Sequence, residues 1–248
     1  MIADDSGEGE EADGNAMEKS AEWIAERARS VAENGVGPIT CSVDYAHTRL
    51  TRAVSHSSVG ATTMNPDELI GIAVSDRDSV ERQIVEATIN RIVKESMAAV
   101  GTTGFVTGLG GLPILVITIP ADIASNFVIN ARMVGAIAHL RGYDLKDPHT
   151  QAMFLLTVAG SSGQAMAASF GVKLGREGAK AAIKAVPISL LREINKRAGF
   201  YLVAKYGTKR AAVTLVKAAP FVGGVVSGGV NVVLTASIGK AAKGAFPY

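Results

Sequence analysis

From Ser96 to Ala121 the chain carries no Asp, Glu, Lys or Arg, a run of 26 residues. A bilayer span needs about 20 apolar residues, so a stretch this long must meet either lipid or the inside of a folded core. Its glycines and prolines argue against one unbroken span: Gly101, Gly104, Gly108, Gly110, Gly111, Pro113 and Pro120 all fall inside it. Gly110-Gly111-Leu112-Pro113 should break a helix in its middle. The expectation is therefore two pieces, Ala98–Leu109 and Ile114–Ile119, folded as a buried helical hairpin. Membrane insertion or a re-entrant segment is the alternative. Pro120 suits the first residue of a further helix, running to about Leu140 with Gly142 as its C-cap. A second uncharged run, Ala218 to Gly239, should begin its helix at Pro220.

The other segments repeat the helical period. Ala16 to Asn34 carries Ile24, Ala28 and Val31 on one side and stops at Gly35, Gly37 and Pro38. Asp78, with Glu81 three residues on, can form a capping box ahead of the stripe Val80, Ile84, Val85, Ile89, Ile92, Val93 and Met97. Asp147-Pro148 opens another helix, which ends near the turn at 160–163. Further helices are expected over Gln164–Ala185, Ser189–Lys205 and Thr208–Ala218. Residues 39–66, rich in Ser and Thr, read as a weakly structured connection with a short helix near Asp44–Val54. No segment alternates apolar and polar residues at period two. The reading is an all-α, single compact domain of about seven to nine helices with Gly/Ala-rich close packing.

Twenty-seven glycines against 5% aromatic residues make that packing unusual. Gly104 and Gly108, Gly171 and Gly175, and Gly224 and Gly228 are each spaced by four, which lets a second backbone approach one helix face. Gly110, Gly111 and Gly223 extend the set. Each glycine costs about 1 kcal/mol against alanine in a helix, so close contact has to return at least that much.

The formal charge of +2 hides an asymmetry. Residues 1–15 hold six acids and no base, without the basic and apolar regions of a secretory signal, and read as a disordered acidic leader. Lys173 to Lys217 holds eleven bases and two acids, Glu177 and Glu193. Lys173, Arg176, Lys180 and Lys184 follow helical spacing, and Arg192, Lys196 and Arg197 continue the series. A solvated surface is the plain reading, and an anionic membrane surface is the functional one. Phe200, Tyr201 and Tyr206 lie among the bases, but no recognised nucleic-acid motif surrounds them.

Few residues point to chemistry. The single cysteine, Cys41, excludes an intrachain disulfide and Cys-rich zinc sites. The four histidines form no His-Glu-x-x-His, and turn residues Gly142 and Pro148 separate His139 from His149. Gly160-Ser161-Ser162-Gly163-Gln164 lacks the last glycine of a nucleophile elbow. Neither a dinucleotide fingerprint nor a P-loop is present. No metal, cofactor or catalytic residue is expected. Asp122 is the notable acid, between two nearly uncharged stretches. Asp122, Asn126, Arg132, Tyr143 and Asp144 form a candidate polar cluster, with an interhelical pocket as its test.

Gly104-Phe105-Val106-Thr107-Gly108-Leu109-Gly110-Gly111-Leu112, then 119–124, Ala131-Arg132-Met133-Val134 and Gly142-Tyr143-Asp144 resemble the EcsC protein family. Ile194-Asn195-Lys196-Arg197-Ala198-Gly199-Phe200 and Pro220-Phe221-Val222-Gly223-Gly224-Val225-Val226, with Asn231 and 238–242, extend the likeness over about residues 78–246. The resemblance implies a bacterial protein with a single helical domain and a loose connection to the membrane or an ABC-type transporter, with no catalytic residues to carry over. The expected organisation is a leader (1–15), an N-terminal helix and linker (16–77) and the EcsC-like domain (78–248). The expected role is a non-enzymatic protein on the cytoplasmic membrane face or a membrane transport complex. An enzyme, such as a hydrolase using Asp122, and a soluble scaffold or homo-oligomer are the alternatives.

Overall fold

A computed structural model describes residues 22, 25, 26, 28–35, 40–56, 64–109, 111–169, 184–202 and 220–248, with side-chain surroundings at all of these except 103–109, 111–125, 161, 162, 164, 200 and 220–228. The described residues are helical and contain no strand. Residues 28–34 form α1, which stops at Gly35 with φ +76°, a conformation open to glycine. There follow α2 (Ser42–Ser55), α3 (Pro66–Ser75), α4 (Val80–Leu109), α5 (Gly111–Leu140), α6 (Pro148–Ala159), α7 (Ser161–Ser169), α8 (Ile188–Leu202) and α9 (Pro220–Ala245). The all-α expectation holds. The acidic leader, most of 164–185 and the helix expected over Thr208–Ala218 lie outside the described residues.

Short polar side chains start these helices. Asn65 and Asp147 accept the free N–H groups of Asp67 and Thr150, and each is followed by proline at the first helical position, where no N–H is needed. Cys41 Sγ does the same for Asp44 at 3.4 Å, which gives the lone cysteine a capping role. The start of α4 differs from the expected capping box. Ser79, not Asp78, is the N-cap, and its Oγ accepts from Arg82 N at 3.1 Å. At the far end of α5, Gly142 (φ +75°) donates to the His139 carbonyl at 2.8 Å, and Tyr143 N–H reaches back to Ala138 at 3.0 Å. These are the paired bonds of a Schellman ending, as the glycine suggested.

Two further expectations are corrected. Instead of a separate piece over Ile114–Ile119, one helix runs from Gly111 through both Pro113 and Pro120 to Leu140. Pro113 stands in the first turn and costs no helical hydrogen bond. Pro120 deprives Val116 of a partner, yet the backbone stays helical through it, in a helix that as a whole packs against α2, α4, α6 and α9. Second, within the stretch read as a linker, α2 and α3 pack into the core. Tyr45, Leu50, Leu69 and Ile70 belong to the same buried cluster as Val85, Ile89 and Met133. The sparse apolar residues of α2 are spaced so that Ala46, Leu50 and Val54 share one face.

The three long helices fix the architecture. Gly101 of α4 lies beside Val232 of α9, and Gly239 beside Val93. Further along, Lys243 Nζ donates to Asn90 Oδ1 and Tyr248 Oη donates to Glu86 Oε1. Each step forward in α9 is a step back in α4, so the two are antiparallel. Gly239 also neighbours Met133, and Arg141 reaches the carbonyls of Lys243 and Phe246, so α9 runs parallel to α5. This register gathers the uncharged second half of α4, the start of α5 and the start of α9 at one end of the bundle.

Glycine does allow close approach, at positions other than those picked out by spacing. A Cβ on Gly135 would meet Ser42 Cβ at 2.8 Å, and one on Gly163 would strike the carbonyl of Leu156. The surroundings of Gly104, Gly108, Gly110, Gly111, Gly223, Gly224 and Gly228 lie outside the described residues. Gly71, by contrast, is exposed on α3 with open space around it. Urea unfolding should show Gly163→Ala destabilised by about 1–3 kcal/mol, because the backbone of α6 cannot yield. Gly71→Ala should gain about 0.5–1 kcal/mol by removing chain entropy.

Candidate functional site

Gly135 and Ser42 set the distance between α5 and α2, and Ser42 Oγ donates to the Arg132 carbonyl at 3.2 Å across that contact. One turn further along both helices, the approach brings two histidines together. His139 Nε2, in the last turn of α5, lies 2.9 Å from His47 Nε2 in α2. Asp67, held in the first turn of α3, places Oδ1 at 3.1 Å from His47 Nε2 and 3.7 Å from His139 Nε2. The rings are tilted at 54°, so their edges converge while their faces do not stack. Burial, then the neighbouring His47 ring, holds His139 below its ordinary value against the pull of Asp67, which favours the neutral imidazole. His47 also lines an open cavity of about 560 Å³ with Thr48, Thr51, Arg52, Ser55 and His56. Two imidazoles and a carboxylate within 4.8 Å of one another are a donor set able to hold a metal ion. The three residues are 20 and 72 positions apart in the chain, and no local motif announces them.

Two charged networks flank α5. On the α2 side, Tyr45 donates to Glu95 Oε2 at 3.0 Å, and Arg49 Nε meets the same oxygen at 2.7 Å. Arg132 lies over the Tyr45 ring at 4.1 Å. Burial pushes Glu95 upward, but hydrogen bonds from Arg91 and Tyr45 and the charge of Arg49 prevail and hold it below its ordinary value. At the end of α5, buried Arg141 pairs with Glu86 at 2.8 Å and lies over the Tyr248 ring at 4.4 Å. Tyr143 donates to the Pro247 carbonyl at 2.8 Å, edge-on to Phe246.

A profile of the EcsC protein family matches residues 44–248. The chain belongs to the EcsC family. The match begins within α2, in keeping with a core that includes α2 and α3. No curated protein and no solved structure matches the chain.

In this EcsC-family chain the described members of the candidate polar cluster have partners of their own. Because α5 is continuous, Asp122, Arg132 and Leu140 are strung along it at intervals of about 12–15 Å. Arg132 is committed to Tyr45, Tyr143 to Pro247, and exposed Asp144 accepts from Lys146 N at 2.9 Å within its own turn. Asn126 accepts the Asn130 side chain on its carbonyl at 2.9 Å. The side chain of Asp122 lies outside the described residues. Of the basic set, Lys173, Arg176 and Lys180 also lie outside them. Lys184, Arg192, Lys196 and Arg197 are all exposed, and Arg197 pairs with Glu193 at 2.7 Å.

Burial raises the Tyr143 hydroxyl from 10.0 to about 12. The unfolded chain therefore gives up this proton first, and the stability Tyr143 contributes is intact below pH 10 and lost as pH rises towards 12. Unfolding measured across that window should show stability falling with pH, and Tyr143→Phe should flatten the fall while also losing the bond to Pro247.

Proposed function

We propose that this EcsC-family chain is a non-enzymatic helical protein that docks on the anionic inner face of the cell membrane, by itself or on a membrane transport complex there. One observation carries the reading, the outer face of α8. Ile188, Arg192 and Lys196 recur at intervals of four and are exposed, with Ile188 61% accessible. Leu191, Ile194, Ala198 and Leu202 bury the opposite side. Lys184 precedes this face, and its one acid, Glu193, is engaged by Arg197. An apolar side chain set among cations suits a surface of acidic headgroups over acyl chains. Among the described residues no helix is long and apolar enough to cross a membrane, so the attachment proposed is peripheral.

Self-association has a specific observation in its favour as a second reading. Val230, Val233 and Leu234 form an exposed apolar stripe on α9, with Val233 69% accessible. Size measurement by light scattering of the wild type against Val233→Lys separates it from membrane docking. For the first reading, the full chain should co-sediment with phosphatidylserine-containing vesicles and not with phosphatidylcholine alone. Each basic residue near acidic lipid contributes about 1 kcal/mol, so replacing Lys184, Arg192 and Lys196 with alanine should weaken partitioning on the order of 100-fold. Binding indifferent to salt and to this triple substitution overturns the proposal.

A further inference from the structure

We propose that His47, Asp67 and His139 bind one divalent transition-metal ion of the zinc class, a site independent of the membrane-docking surface. The donors His47 Nε2, His139 Nε2 and Asp67 Oδ1 form a triangle with edges of 2.9, 3.1 and 3.7 Å. The point equidistant from its corners lies about 1.9 Å from each, so an ion slightly above that plane reaches all three at about 2.0–2.1 Å, the length of zinc–imidazole and zinc–carboxylate bonds.

Protons alone serve this arrangement poorly. The Nε2 of His47 offers one in-plane group, either an N–H or a lone pair, yet it faces both a ring nitrogen and a carboxylate oxygen. With the proton present it can point at only one of them. With a lone pair it confronts the carboxylate oxygen, which can only accept. A cation at the centre receives one lone pair from each of the three donors and removes the conflict.

The surroundings agree with a cation. His139 lies in the last turn of α5, where the helix dipole favours positive charge. Asp67 lies in the first turn of α3 and offers a carboxylate oxygen to the site. Two nitrogens and one oxygen select zinc, cobalt or nickel over calcium and magnesium. Asp67 is 65% exposed, so the outward side of the ion stays open to water or to a ligand from the adjoining cavity. The ion would join three helices, α2, α3 and α5.

Cobalt titration of the full chain, stripped with EDTA and dialysed, tests this. One equivalent of Co²⁺ should bring up visible d–d absorption, displaced by one equivalent of Zn²⁺ and not by Ca²⁺ or Mg²⁺. His47→Ala and Asp67→Ala should each weaken Zn²⁺ binding about tenfold or more. His56→Ala and Cys41→Ser should leave it unchanged. Asp67 is exposed and far from the buried cluster in character, so its variant should keep wild-type circular dichroism and isolate ligation from folding. Absence of saturable one-equivalent binding, or binding that either ligand variant leaves undiminished, overturns the assignment.

Discussion

The guanidinium of Arg141 holds the three long helices in register. It is buried, it pairs with Glu86 of α4, and it donates to the carbonyls of Lys243 and Phe246 at the end of α9. Tyr248 closes over it, stacked between Arg141 and Arg82 and donating to Glu86. A buried charge is costly unless its hydrogen bonds are met, so sliding any one helix by a turn would strand it. Helices with small side chains such as Gly101 and Gly239 resist such sliding weakly by shape alone. The polar clasp supplies the discrimination.

That register has consequences along the whole bundle. It places the charged ends of α4, α5 and α9 together and gathers the uncharged second half of α4 and the uncharged starts of α5 and α9 at the opposite end. The crossing at Gly135 and Ser42 decides that His139 meets His47 and that Arg132 meets Tyr45. A packing contact on α5 thus fixes, one turn later, which side chains come together.

The basic helix α8 is separate from this machinery. It packs on α6 and α7 through Leu191, Ile194 and Ala198, and its cations point away from the core. The exposed basic face on one flank and the His–Asp cluster on another can therefore be altered independently.

Much of the fold is legible in the residues themselves. Helical periodicity, Asp147-Pro148, Gly142 and Pro220 mark real helix ends, because caps, φ restrictions and missing N–H groups act within a few residues. The run through Pro120 was not legible, since a proline's local penalty carries no information on how the whole helix packs against helices distant in the chain. Nor were α3 and the core role of α2, whose few apolar residues matter only once a partner face is present. The candidate site is the extreme case. His47, Asp67 and His139 look unrelated along the chain, where one lies at a helix start, one at a helix end and one in mid-helix. What the sequence determined by itself was helix, charge asymmetry and family, all properties of near neighbours or of residue content. Which side chains share a site was decided only by the tertiary structure, because three helices must cross at a fixed distance before their donor atoms can converge on one point.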